Sequence, residues 1–215
     1  GTRGTNSVIL ITTKKGAEAG DKFSIDYHGY ASAETISNQI DIFSADEYRN
    51  LGRTTNGFFT PTDKGASTDW SDEVFRTAFS HTHHLALKSG NAKSNYYASV
   101  DYRSRDGIIR NTGQERTNLK FGFNRSLFND KMTLSANIND VFTVGHTVST
   151  DEVLFATLVT NPTEPIYGPT GDYSIFVDST NPVKLINEYN NTTRWNEIQA
   201  SGKVTYTPIG PLTFT

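Results

Sequence analysis

The chain has no cysteine and a single methionine. Without cysteine there are no disulfides, no zinc–thiolate sites and no thiol catalysis. A run of 18 apolar residues is also missing, so no stretch is suited to cross a bilayer as a helix. No basic excess exists either: 20 Lys and Arg stand against 23 Asp and Glu, a net charge of −3. With no Lys/Arg cluster longer than two, a strongly basic nucleic-acid binder is excluded. Hydrophobic residues make up 35% of the chain and the mean hydropathy is −0.51, values that would suit a soluble domain. That inference fails for transmembrane strands, in which only every second residue meets lipid. No signal peptide is visible. The chain opens on Gly1, not on methionine, and is expected to begin inside a longer protein.

What is present is alternation. Residues 22–32 place Phe23, Ile25, Tyr27, Gly29 and Ala31 on one face and Lys22, Ser24, Asp26 and His28 on the other. Residues 84–90, 95–103, 116–127, 131–139 and 197–206 repeat the pattern, with Leu85, Val100, Phe121, Ile138 and Val204 among the apolar members. A seventh segment starts at Leu212. Period-2 patterning of this kind specifies half-buried strands. Each full segment is near the roughly 9–11 residues that a tilted strand needs to cross a bilayer.

Alternation alone would equally suit a soluble secreted β-sandwich, for instance a glycan-binding module. The connections separate the two readings. Tight turns are expected around Gly90-Asn91-Ala92-Lys93, Phe128-Asn129-Asp130 and Pro208-Ile209-Gly210-Pro211. Long connections are expected at 33–83, 104–115 and 140–196. Short turns at one end and long loops at the other are the mark of an outer-membrane barrel, and a sandwich has no reason to keep that parity. Arg125 and Asp140 fall on the apolar stripe, each assigned to a strand end, where a charge costs only about 0–1 kcal/mol. Tyr30, Tyr102, Phe128 and Phe142 fit interfacial belts, although β-propensity alone explains them as well.

The long loops carry helix signals. Ser44 and Glu47 form a capping box, flanked by Phe43 and Tyr48 as a hydrophobic staple, so a helix is expected to about Leu51 with Gly52 behind it. Residues 69–79 read as a second helix with Trp70, Val74, Phe75 and Ala78 on one side. A third is expected from Thr150 to Val159, capped by Ser149 with Glu152 three residues on, and a fourth from Asn181-Pro182 to Tyr189.

The most specific segment is the first. A turn-forming stretch (Gly1, Gly4, Asn6) runs into Val8-Ile9-Leu10-Ile11, the longest apolar block in the chain, and ends at Lys14-Lys15-Gly16. It closely resembles the end of the plug domain in the SusC/RagA group of TonB-dependent outer-membrane transporters, with Ser7 where that group usually has glycine. Further segments resemble the group in the same order: Thr68-Asp69-Trp70, Asp106-Gly107-Ile108-Ile109, Glu164-Pro165-Ile166-Tyr167 and Asn181-Pro182. The resemblance implies an all-β fold: the first six to seven strands of a 22-stranded, antiparallel, up-and-down transmembrane barrel with a plugged lumen. Residues 1–16 would be the end of the plug, and residues 17–215 barrel wall with short helices in the loops. It further implies uptake of oligosaccharides or peptides at the cell outer membrane, with turns periplasmic and loops extracellular. The implied partners are a SusD-like lipoprotein and the TonB complex, the latter through a region outside this chain.

In that frame Gly4, Asn6 and Gly16 are candidates for a plug-to-barrel hinge, since glycine and asparagine tolerate unusual backbone angles. Trp70, Tyr167 and Tyr173 are candidates for contact with substrate or lid. Each has a second reading, as filler of the loops' own cores. Asp26, Lys88, Asp101, Arg103 and Lys120 are lumen positions, hydrated or touching plug or ligand. His81, His83 and His84 form the one metal-like cluster, read chiefly as a polar loop entering the second strand segment. Asp69 and Asp72 have no acid–base partner. No enzyme activity, cofactor or nucleic-acid partner is expected.

Overall fold

The computed structural model describes residues 23–54, 60–210 and 212–215. The candidate hinge residues Gly4, Asn6 and Gly16 lie outside them. Seven strands form one antiparallel sheet in chain order. They are β1 (Ser24–Glu34), β2 (Ala78–Asn91), β3 (Ser94–Asp106), β4 (Gly113–Leu127), β5 (Met132–Val148), β6 (Asn190–Ile209) and β7 (Leu212–Phe214). Four helices, α1 (Ala45–Thr54), α2 (Trp70–Val74), α3 (Thr150–Val159) and α4 (Pro182–Glu188), sit in the long connections.

The turn parity holds. β2 passes to β3 through Ala92 and Lys93, with Asn91 Oδ1 accepting from the Lys93 and Ser94 N–H groups at 2.9 Å each. β4 passes to β5 through a turn in which Phe128, Asn129 and Asp130 all take positive φ. At the opposite end of the sheet the connections span 35–77, 107–112 and 149–189.

The strands are longer than the alternation predicts, β5 at 17 residues and β6 at 20. They continue beyond the zone where one face is apolar, and there the pattern has no reason to persist. Residues 190–196 are exposed on both faces. His81, His83 and His84 lie inside β2, not in a loop before it. The helix expected over 69–79 stops at Val74, because the chain bridges to Ile109 at Phe75 and enters β2 at Ala78. α1 runs on through Gly52 to Thr54.

The register divides the sheet into two faces. One carries Ile25, Leu87, Ala98, Phe121, Ile138 and Ala200, directly across from one another from β1 to β6. Most of its large members are exposed, among them Ile25, Tyr27, Leu119, Phe121, Ile138 and Ile198. No second sheet covers them among the described residues, which rules out the sandwich. An apolar surface of this extent is not left facing water.

Tyr27, Leu85, Val100, Leu119, Asp140 and Ile198 form one row. Above it the face differs from strand to strand: β1 continues with Gly29, Ala31 and Ala33, β2 with His83, His81 and Phe79, and β5 with Phe142 and Val144. β4 turns polar at Thr117 and Glu115, and β6 at Asn196 and Arg194.

Four residues on this face need separate notice. His81 lies among the Phe79, His83 and Tyr102 rings, its Nδ1 without a hydrogen-bond partner among the described residues. Arg125 lies two residues from the end of β4, as expected. Asp140 was placed at a strand end, yet β5 continues eight residues past it, with Phe142 and Val144 above it on the same face; it lies level with Leu119 and Ile198, above which β4 and β6 turn polar. His83 accepts or donates at Nδ1 with the Tyr27 hydroxyl, 2.7 Å away. That contact requires Gly29: a Cβ there would meet the Tyr27 hydroxyl at 2.7 Å. Tyr30 is not part of an aromatic belt, since it pairs with Thr82 on the polar face.

Depth in the apolar zone makes a testable difference. In the full-length protein in lipid vesicles, Phe121→Lys is expected to cost about 2–4 kcal/mol and Leu127→Lys, beside the turn, about 0–1. Urea titration followed by tryptophan fluorescence measures both.

Candidate functional site

The long loops fold onto one another. Val74, Val153, Ala156, Leu185 and Ile186 make a buried cluster, with Phe75, Ile109 and Val148 packed around it. Each of the three loops contributes. Extended backbone links the first loop to the third: Ala66 N–H donates to Thr163 O and Thr68 N–H to Pro162 O, both at 2.9 Å. Arg76 N–H to Ile108 O and Arg110 N–H to Val74 O, again 2.9 Å each, tie in the second.

Local sequence explains the helices. Asn181 caps α4 by accepting from the Val183 and Lys184 N–H groups, and Pro182 opens the helix where no donor is needed. Ser149 stands at the N-cap of α3, but its side chain makes no capping bond. The capping box of α1 is formed as expected. Ser44 N–H and Oγ–H donate to Glu47 Oε2 at 2.9 and 2.7 Å, and Glu47 N–H returns to Ser44 Oγ at 3.3 Å.

The Ser44 hydroxyl, then its backbone N–H, hold the Glu47 carboxyl below the ordinary range. A depressed folded-state value stabilises above the ordinary glutamate value and is lost as pH falls through the folded one. Amide exchange in α1 is therefore expected to quicken as pH drops below the usual carboxylate range, once corrected for intrinsic rates. Glu47→Gln should abolish that dependence.

Of the candidate contact residues, Trp70 is the one withdrawn from the surface. It is 0% exposed, its Nε1–H donates to Asn161 O at 3.1 Å, and its ring meets Phe176 edge-on at 5.8 Å. No ring face is left for a ligand. Trp70→Ala is expected to cost about 3–5 kcal/mol of loop stability, read as faster protease nicking between 35 and 77 with the sheet intact.

Tyr167 and Tyr173 face each other across a small hairpin, ring centroids 5.1 Å apart. Gly168 N–H bonds to Asp172 O at 2.8 Å, and Gly171 takes φ of 86°, which a side chain would oppose. Asn187 Nδ2 donates to the Tyr173 hydroxyl at 2.9 Å, fixing that ring, whereas Tyr167 is half exposed. Beyond the hairpin, Phe176 points in to Trp70 while Ile175 and Val177 are 93% and 95% exposed. Sequence reading passed over those two, although alternation about Phe176 was available as the signal.

The polar face gathers the lumen candidates. Asp26 and Lys88 pair at 2.9 Å, and His84 Nδ1 lies 2.5 Å from Asp101 Oδ1, with the His28 ring stacked on His84. Arg103 and Lys120 share this face, without an ion pair among the described residues. His81 and His83 point to the other face, so the histidine cluster is divided. No group of three or more metal-type ligands occurs among the described residues.

No family model matches the chain. The TonB-dependent receptor SusC of Bacteroides thetaiotaomicron is 35% identical over 176 residues, which cover 80% of this chain and 17% of that protein. The TonB-dependent receptor P26 of Formosa agariphila is 27% identical, over 97% of this chain and 22% of its own length. The structure of the RagAB peptide importer in the closed-closed state superposes with a TM-score of 0.65 at 16% identity, over 97% of this chain and 29% of that one. Its open-open state gives 0.67 over 92% and 27%. At such identity the structural likeness speaks for the fold alone.

An apolar face on an up-and-down sheet, tight turns at one end and long loops at the other define a section of an outer-membrane-type barrel wall, and the sequence matches make it one of the TonB-dependent receptors. Within that class the chain belongs to the SusC/RagA group, on its likeness to SusC. It spans 17% and 22% of the length of the two curated relatives described.

Proposed function

We propose that the protein to which this chain belongs imports oligosaccharides or peptides across the outer membrane of a Gram-negative cell. A SusD-like surface lipoprotein delivers the cargo, and the TonB complex supplies the energy through a region outside this chain. The kinship with SusC, over four-fifths of the chain, carries the reading. The apolar face opposite a polar one supports it, since a wall facing lipid on one side and a polar interior on the other is what such import needs. The turns lie on the periplasmic side and the loop layer outside the cell, where half-exposed Tyr167 and the Tyr173 beside it are placed to meet cargo or lid. Uptake of labelled cargo by the full-length protein is expected to vanish when TonB is inactivated. Uptake that continues undiminished would end the proposal.

On the same reading residues 1–16 are assigned to the end of the plug and residues 17–215 to the barrel wall. A plug that rearranges against a fixed wall needs residue types that tolerate unusual backbone angles at the join, which glycine and asparagine at Gly4, Asn6 and Gly16 are. Gly4→Val in the intact transporter is expected to block uptake with normal assembly, judged by surface labelling and heat-modifiable migration. Normal uptake by that variant counts against the hinge.

A further inference from the structure

We propose that Arg103 and Arg116 form a binding site on the barrel's inner wall for the acid group of an anionic oligosaccharide, with Trp195 as the platform for a neighbouring sugar ring. The proposal rests on the transporter reading and narrows its cargo.

Arg103 and Arg116 are direct cross-strand partners on β3 and β4. Both belong to the polar face, two residues above Asp101 and Asn118 respectively, and both are exposed. Like charges placed opposite one another destabilise a sheet unless something sits between them. Nothing among the described residues does so: neither guanidinium has a hydrogen bond or ion pair there. The acids on this face are already engaged. Asp101 holds His84, Asp26 holds Lys88, Glu34 lies 3.5 Å from Arg105, and Glu197 Oε1 accepts from Gln199 at 2.6 Å. Two planar forks with free donors, side by side, match the oxygens of a carboxylate or sulfate.

The same row continues to an aromatic ring. Arg116 pairs with Thr143, and Thr143 with Trp195 on β6. By strand spacing Trp195 stands about 10 Å from Arg116. The register puts it on the same polar face as the two arginines. A broad apolar ring beside a paired cationic site suits a sugar bearing an acid group better than an acidic peptide, which has no comparable flat face to stack. The row lies above the apolar belt on β4 and β6, toward the loop end, so incoming cargo meets it early.

The test uses the full-length transporter with its lipoprotein in detergent. Calorimetry compares oligogalacturonate and oligomannuronate, their carboxyl-reduced neutral forms, and a polyglutamate peptide. At least one uronate is expected to bind about tenfold more tightly than its reduced form. Arg103→Gln with Arg116→Gln should bring that ratio to about one, Arg103→Lys with Arg116→Lys should keep part of it, and Trp195→Ala should weaken both forms. A flat ratio in the unmodified protein, including no binding of any glycan, overturns the proposal. So does a ratio that survives the glutamine variant, or tighter binding of polyglutamate than of either uronate. A glutamine variant that keeps the ratio but melts earlier assigns the pair to holding the plug, which also overturns it. A flat ratio in the unmodified protein alongside its TonB-driven uptake of a neutral glycan would sink this site and leave the transporter standing. Absence of any TonB-driven uptake would sink the transporter reading itself.

Discussion

A peptide group in hydrocarbon costs several kcal/mol unless its donor and acceptor are both paired. In this chain that single constraint dictates the hydrogen-bonded ladder from β1 to β6. Once every backbone group along a strand is committed to its neighbours, side chains have only two directions left. The bilayer makes one of them apolar, so Ile25, Leu87, Phe121 and Ile138 face the same way. Tilt then follows from closure of a barrel. One exception on that face is met in the same way: the His83 ring nitrogen is bonded by Tyr27, over a glycine that makes room.

Above the bilayer the constraint relaxes and water competes for the backbone again. There the chain solves a different problem, building a small apolar core from three separate loops. Trp70, which sequence reading offered both as a ligand platform and as core filler, is spent on that core. Exposed aromatic rings in the loops lie instead at Phe43, Phe155, Tyr167 and Tyr189, with Tyr173 beside Tyr167.

Sequence made the architecture legible wherever one local rule dominated. Alternation located the strands, the turn residues fixed which end was short, and the caps at Asn181 and Ser44 announced their helices. What it could not supply were quantities set by distant partners. The ends of β5 and β6 depend on pairing that continues after alternation has stopped. The helix expected to reach Phe79 is cut by a bridge to Ile109, more than thirty residues away. Arg103 and Arg116 were each visible as polar-face residues, but only the register shows them to be opposite one another. Trp195 fell just outside the alternating window that began at Glu197, so its side of the sheet was unread.

The strand-like pairing of residues 64–68 with 161–164 joins two loops that are nearly a hundred positions apart in the chain. Such loops do not diverge as independent parts. An insertion that suits one of them shifts the groove its counterpart was shaped to fill, so homologues with new diets would have inherited or replaced the trio together, and transplanting one alone from a cousin would leave the other two without their shared interior.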